Sequence, residues 1–125
     1  AKLNQGGSGA LTVTGSNTLD DITNSYSTTG ATTITFTAGT TQTLSTNFTA
    51  TGSSGNVLTL NSSSAGSAAT LSLASGTVST VDYLSIRDST ATGGATWSAG
   101  INSTNVSNNT GWIFPVNSGN FFMIF

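Results

Sequence analysis

ATTITFTAG, residues 31–39, places Ile34 and Phe36 among Thr33, Thr35 and Thr37 in strict alternation. Alternation of apolar and polar residues over four to eight positions marks a strand with one buried face. The pattern returns along the chain. Leu11 and Val13 precede it, and Leu58 and Leu60, Leu84 and Ile86, then Trp112 and Phe114 follow, with steps of 23, 24, 26 and 28 residues between pair starts. A second series, Leu19, Leu44, Leu71 and Trp97, runs in phase with steps of 25, 27 and 26. A period of 20–50 residues is the mark of a repeat architecture. Two series in phase give each repeat at least two inward-facing strands. A third apolar anchor falls between them: Phe48, Val78 or Val81, and Ile101 or Val106.

Turn signals separate the strands at Thr29-Gly30, Ala38-Gly39, Thr51-Gly52 to Gly55, Ala65-Gly66, Ser75-Gly76 and Gly93-Gly94. No segment carries a 3.6-residue apolar stripe, and Ser, Thr and Gly are poor helix formers. The expected fold is therefore all-β: a parallel β-helix, or solenoid, of about four to five coils, roughly 20 Å tall at the usual strand spacing. An antiparallel β-sandwich is the alternative with the same strand lengths. The expected organisation is a Gly-rich lead-in over residues 1–10, a solenoid domain over 11–114 and an apolar tail over 115–125.

Composition narrows the function classes. Only 5% of the 125 residues are charged, and the net charge is −2. Lys2 and Arg87 are the only bases, and Asp20, Asp21, Asp82 and Asp88 the only acids. Two bases are too few to neutralise a phosphate backbone or to hold an anionic membrane surface, so neither nucleic acid nor membrane is an expected partner. No stretch approaches the ~20 apolar residues of a membrane-spanning helix, and none reads as a signal peptide. Without cysteine there is no disulfide or thiolate site. Without histidine no serine has an imidazole base. No Gly pattern opens a helix to cradle a phosphate. No cofactor is expected, and no enzyme.

ITFTAG (34–39), LTLNSSSAGSAATLS (58–72), VDYLSIRDS (81–89) and NNTGWIF (108–114) form a set of short motifs. Together they resemble the C-terminal part of right-handed parallel β-helix domains in bacterial surface proteins and phage or virion proteins. The resemblance covers roughly residues 30–114. It implies a pectate-lyase-like scaffold, without implying lyase activity.

Asp82 and Asp88, with Arg87 and Tyr83, are the candidate glycan or cation contacts. Six residues separate the two acids, which puts them on one face if the strand between them is unbroken. The competing reading is a solubilising pair, with Arg87 and Asp88 neutralising each other. Acid–base catalysis would need two groups with separated pKa values and supporting residues that this chain lacks. Asp20-Asp21 offers oxygens to a hard cation, or else simply charges a turn. Trp97, Trp112 and Tyr83 would make a sugar-stacking platform, but both tryptophans fall in the inward series; Tyr83 is the best candidate for an exposed ring. Asn-X-Ser/Thr sequons at Asn47, Asn61, Asn102, Asn105 and Asn108 match what composition gives by chance; stacked Asn and Thr ladders are an alternative role.

Phe121, Phe122, Met123, Ile124 and Phe125 are five consecutive large apolar residues in a chain more than a third Ser and Thr. Such a run needs cover on both faces. It either caps its own last coil or contacts a neighbouring subunit by strand addition. The function expected from all this is a non-enzymatic, extracellular structural subunit. It would assemble with copies of itself into a filament, or into a virion or cell-surface layer, through its ends and tail. The alternatives are a glycan-binding or glycan-cleaving module of the tail-spike type, with surface glycans as partners, and the C-terminal piece of a longer fibre.

Overall fold

The computed structural model describes residues 1–116. Among them are fourteen short strands and no helix, so no helix there is long and apolar enough to cross a membrane. The chain enters with β1 (Lys2–Gln5). Its first turn contains β2 (Leu11–Val13), β3 (Asn17–Leu19) and β4 (Asp21–Asn24). The second contains β5 (Thr32–Phe36) and β6 (Thr41–Leu44). The third contains β7 (Leu58–Ser62), β8 (Ala69–Leu73) and β9 (Thr77–Val78). The fourth contains β10 (Leu84–Arg87), β11 (Ser89–Thr92) and β12 (Thr96–Ser98). The fifth contains β13 (Thr104–Ser107) and β14 (Trp112–Ile113).

Every ladder between these strands is parallel, and each strand pairs with its counterpart one turn away. Face one stacks β2, β5, β7, β10 and β13; face two stacks β3, β6, β8 and β11; face three stacks β9, β12 and β14, with β1 and β4 paired below. The protein is a parallel β-solenoid of about five turns, and the sandwich alternative is excluded. Between β4 and β9 the third face continues without a formal strand, and Thr49 N–H donates to Ile22 O at 3.1 Å. The lead-in is part of the rod. β1 pairs with β4 in register, and buried Gln5 holds the glycine-rich link by donating from Nε2 to Gly9 O and Thr33 O, both at 2.8 Å.

The core is a set of apolar columns. Leu11, Ile34, Leu60 and Ile86 lie directly above one another. The sequence spacing suggests pairing Ile34 with Leu58, but the register sets Thr32 opposite Leu58, Ile34 opposite Leu60 and Phe36 opposite Ser62. A two-residue slip is harmless, because side chains alternate with period two and the same set stays inward. The slip is absorbed at the preceding corner, where Ser53 and Asn56 bond each other's backbones at 3.0 and 2.8 Å. On face two Leu19 meets Leu44, but Leu44 then meets Leu73, and Leu71 meets Gln42.

The last pair of the first series belongs elsewhere. Trp112 sits over Trp97 on face three, and the residue over Ile86 is Asn105. Val106 is extra in that ladder, at a bulge between the partners of Ile86 and Arg87. Phe48, Val78 and Val81 are buried anchors as expected, whereas Ile101 and Val106 are about half exposed, at 48% and 51%. Their places inside are taken by Trp97, Ala99 and Trp112. The rings of Phe48, Trp97 and Trp112 form one cluster, with centroids 5.1–5.8 Å apart and tilted or edge-on. Such pairs add about 0.5–1.5 kcal/mol each beyond their burial. Each indole N–H is satisfied, Trp97 by Thr92 O at 3.1 Å and Trp112 by Ser89 Oγ at 3.0 Å.

Gly93 marks a corner where a turn passes close to its neighbour. Its φ is +96°, and an added Cβ would run into the backbone of Leu73. Gly55 has a similar φ, +81°, with open space around it. Gly55→Ala should therefore cost about 1–2 kcal/mol, the backbone penalty alone. Gly93→Ala should cost that plus about 1–3 kcal/mol of overpacking. Leu60→Ala, which empties a column, should cost about 2–5 kcal/mol. Urea midpoints of the three variants check the order, with Gly55→Ala mildest.

Candidate functional site

The four residues singled out around β10 are split between two corners. Tyr83 and Asp88 have left-handed backbones, with φ of 55° and 54°, and β10 is confined to Leu84–Arg87 between them. The strand from Asp82 to Asp88 is thus broken at both ends, and the condition for a shared face is not met. The length of β10 puts about 13 Å of strand between the corners. Carboxyl pairs that cleave glycosides stand about 5–9.5 Å apart.

At the first corner Asp82 joins consecutive turns. Its Oδ1 accepts from Asn102 N–H at 2.7 Å and from Tyr83 N–H at 2.9 Å, and Oδ2 accepts from Asn102 Nδ2 at 2.8 Å. Its own N–H donates to Thr51 Oγ1 at 2.9 Å, one turn below. Tyr83 beside it is half-buried, as are Tyr26 and Phe114, so its ring is not distinctively exposed.

At the second corner the Asp88 side chain is only 1% exposed. Oδ1 accepts from Asn108 Nδ2 at 2.7 Å, in the turn above. Oδ2 accepts from Gly66 N–H at 3.1 Å, in the turn below. Arg87 Nε lies 2.8 Å from Oδ2, but off the hydrogen-bonding direction; this contact is an ion pair without a formed hydrogen bond. Arg87 also donates from Nη2 to Ser62 O at 3.0 Å. The Asn108 hydrogen bond is the main cause of a pKa held below the ordinary 3.8; burial opposes it, and the Gly66 N–H and the Arg87 charge add to the lowering.

The remaining acids are also bonded within the chain. Buried Asp21 accepts from Thr49 N–H at 3.0 Å and from Thr49 Oγ1 at 2.8 Å. Asp20 points the other way, where Ser45 Oγ donates to it at 3.0 Å. Among the described residues, no group of three or more His, Cys, Asp or Glu side chains is placed to hold a metal ion. The sequon asparagines have structural partners. Asn61 Oδ1 accepts from Thr35 Oγ1 at 2.7 Å, and Asn105 Oδ1 from Asn109 Nδ2 at 2.8 Å. Asn102 and Asn108 bind Asp82 and Asp88. Sequence reasoning missed these acid–amide clamps. Their signal was an Asp followed by an Asn 20 residues later, twice.

The last turn of the rod exposes large apolar side chains. Ile101, Val106 and Ile113 of the last turn are 48%, 51% and 50% exposed, and Val116 lies just beyond. Among the described residues no strand pairs with the outer edge of β13 or of β14. At the opposite end Leu3, Leu11 and Leu19 are half-buried. The expected contact residues Phe121, Phe122, Met123, Ile124 and Phe125 lie outside the described residues. No protein-family model, curated protein or solved structure matches the chain.

Because the Asp88 pKa is lowered on folding, its contribution to stability is complete above the unfolded value of 3.8 and is lost as pH falls through the lower folded value. The wild-type melting temperature should drop as pH falls below about 4. Asp88→Asn should melt lower at pH 7 and show a shallower acid dependence. Melting curves from pH 7 to 2 check both; parallel profiles would remove Asp88 as the clamp.

Proposed function

We propose that this protein is a non-enzymatic structural rod that joins copies of itself end to end, in an extracellular filament or in a surface layer of a cell or virion. The observation that carries the reading is the last turn. Its strand edges are open among the described residues, and exposed large apolar side chains collect there. Solenoids that stay apart need polar capping repeats, and edge strands are normally blunted by charge or proline. Residues 99–114 contain no charged side chain and no proline. The bulge at Val106 interrupts the edge on face one, while Trp112 and Ile113 keep a regular register on face three.

The half-buried leucines of the first turn are the matching surface. Joining the two ends would bury both apolar sets and continue the parallel ladders. A head-to-tail contact that does not close makes a filament. A low net charge provides little repulsion against it. The apolar run Phe121–Phe125 adds a second contact in the same reading. Use of the four acids inside the chain favours a structural role over a catalytic one.

Two variants test the reading, with assembly followed by light scattering and electron microscopy. Ile113→Lys puts a charge into the joint and should leave folded single rods, with a melting temperature near that of the wild type. Deleting residues 121–125 should weaken assembly while leaving the fold intact. A wild-type chain that stays monomeric at all concentrations would overturn the reading. So would a deletion that lowers the melting temperature without changing assembly, because the run would then cap its own rod.

A further inference from the structure

The outer side of face two holds an ordered grid of hydroxyl groups. Thr41, Thr70, Thr90 and Thr110 are in register across four turns. Two residues along the strands, Thr18, Thr43, Ser72 and Thr92 form a second column. The two columns are offset by one turn, so the grid has three complete rows of two, with Thr18 and Thr110 extending it at opposite ends. It holds seven threonines and one serine, with no charged or aromatic side chain among them. The residues between them, Gln42, Leu71 and Ala91, point inward and are buried. All eight are half-buried or exposed.

Face one has a single such column, Thr33, Thr59, Ser85 and Thr104, and several other hydroxyls of this chain are used internally. Thr35 Oγ1 donates to Asn61 at 2.7 Å, and Ser16 Oγ accepts from Thr41 N–H at 3.0 Å. None of the eight grid hydroxyls has a hydrogen-bond partner among the described residues. Their donors and acceptors all face outward. Thr is β-branched and stiff about χ1, so a strand fixes where its hydroxyl and methyl groups stand.

The dimensions of the grid follow from strand geometry. Rows repeat at about 4.8 Å, the strand spacing, and columns are about 6.7 Å apart, the rise of two residues. Water oxygens in a tetrahedral lattice with hydrogen bonds of about 2.75 Å have second neighbours about 4.5 Å apart and repeat along the hexagonal axis at about 7.3 Å. Each spacing agrees to about 0.6 Å or better, and the drift along one four-residue column is only about 1 Å. Hydroxyls bond lattice water, and the methyl groups between them exclude bulk water.

We infer that face two is an ice-binding surface, with Thr41, Thr43, Thr70, Ser72, Thr90 and Thr92 at its centre. The ligand is the crystal face of ice that exposes both repeats. A crystalline polysaccharide is the other periodic, uncharged candidate, but the face has no aromatic ring on which a sugar could stack. The inference is independent of end-to-end joining, since the grid is complete within one chain.

The test grows single ice crystals in a solution of the full chain and measures the gap between their melting and freezing temperatures. Faceted crystals and a measurable gap are expected. Thr70→Tyr, which lifts a ring out of the grid, should remove at least half of the gap. Thr43→Lys, at an exposed position, should do the same and serves if the tyrosine variant does not fold. Thr59→Tyr, on the outer side of face one, should leave the gap unchanged. Rounded crystals without a gap in wild-type protein overturn the inference. So does an equal loss in Thr59→Tyr, or adsorption to microcrystalline cellulose or chitin in place of ice.

Discussion

Each strand on a face of this rod must satisfy its backbone N–H and C=O groups with the strands of adjacent turns, because little else of the chain lies within reach. That requirement sets the register, and the register sets everything else. Once Ile34, Leu60 and Ile86 are stacked, the residues two positions away stack as well. Alternation then sends every hydroxyl between them outward. Any turn may gain or lose residues only at its corners, and only in a way that restores the phase. The two-residue slip between β5 and β7 is such a case.

Corners carry the second constraint. A parallel turn bends three times, and each bend exposes backbone groups that no ladder satisfies. This chain answers with side chains from the neighbouring turn. Asp82 and Asp88 each reach both the turn below and the turn above. With so few charges in the sequence, placing two of four acids in these clamps leaves little for surface chemistry. The same economy explains the half-exposed Arg87, whose guanidinium serves Ser62 and Asp88 and so is not free for a ligand.

Much of the fold was legible because a strand's side chains alternate and a solenoid repeats. The all-β class, the parallel stacking, the number of turns and the inward-facing set that includes Ile34, Phe36, Leu60 and Ile86 all follow from periodicity, although the spacing stacks Phe36 with Leu60 and the structure sets it opposite Ser62. What periodicity could not supply was register. Trp112 continues the numerical series of Leu11 and Leu84, yet it packs over Trp97, because the fifth turn offers Asn105 in place of an apolar residue above Ile86. The candidate contacts were misplaced for a related reason. Left-handed backbones at Tyr83 and Asp88 end the strand early, and neither Tyr nor Asp announces that conformation as glycine does. The grid on face two was hidden in plain composition: threonine is everywhere in this chain, and only pairing shows which ones align.

The corner between Ser53 and Asn56 has one more implication. It closes on itself through two backbone hydrogen bonds, and a Cβ added to Gly55 at its tip would meet open space. The ladders on either side are therefore indifferent to what is inserted at the tip. A foreign peptide spliced there would be carried on a stiff scaffold, and in any joined series of rods it would be displayed once per molecule at a constant interval.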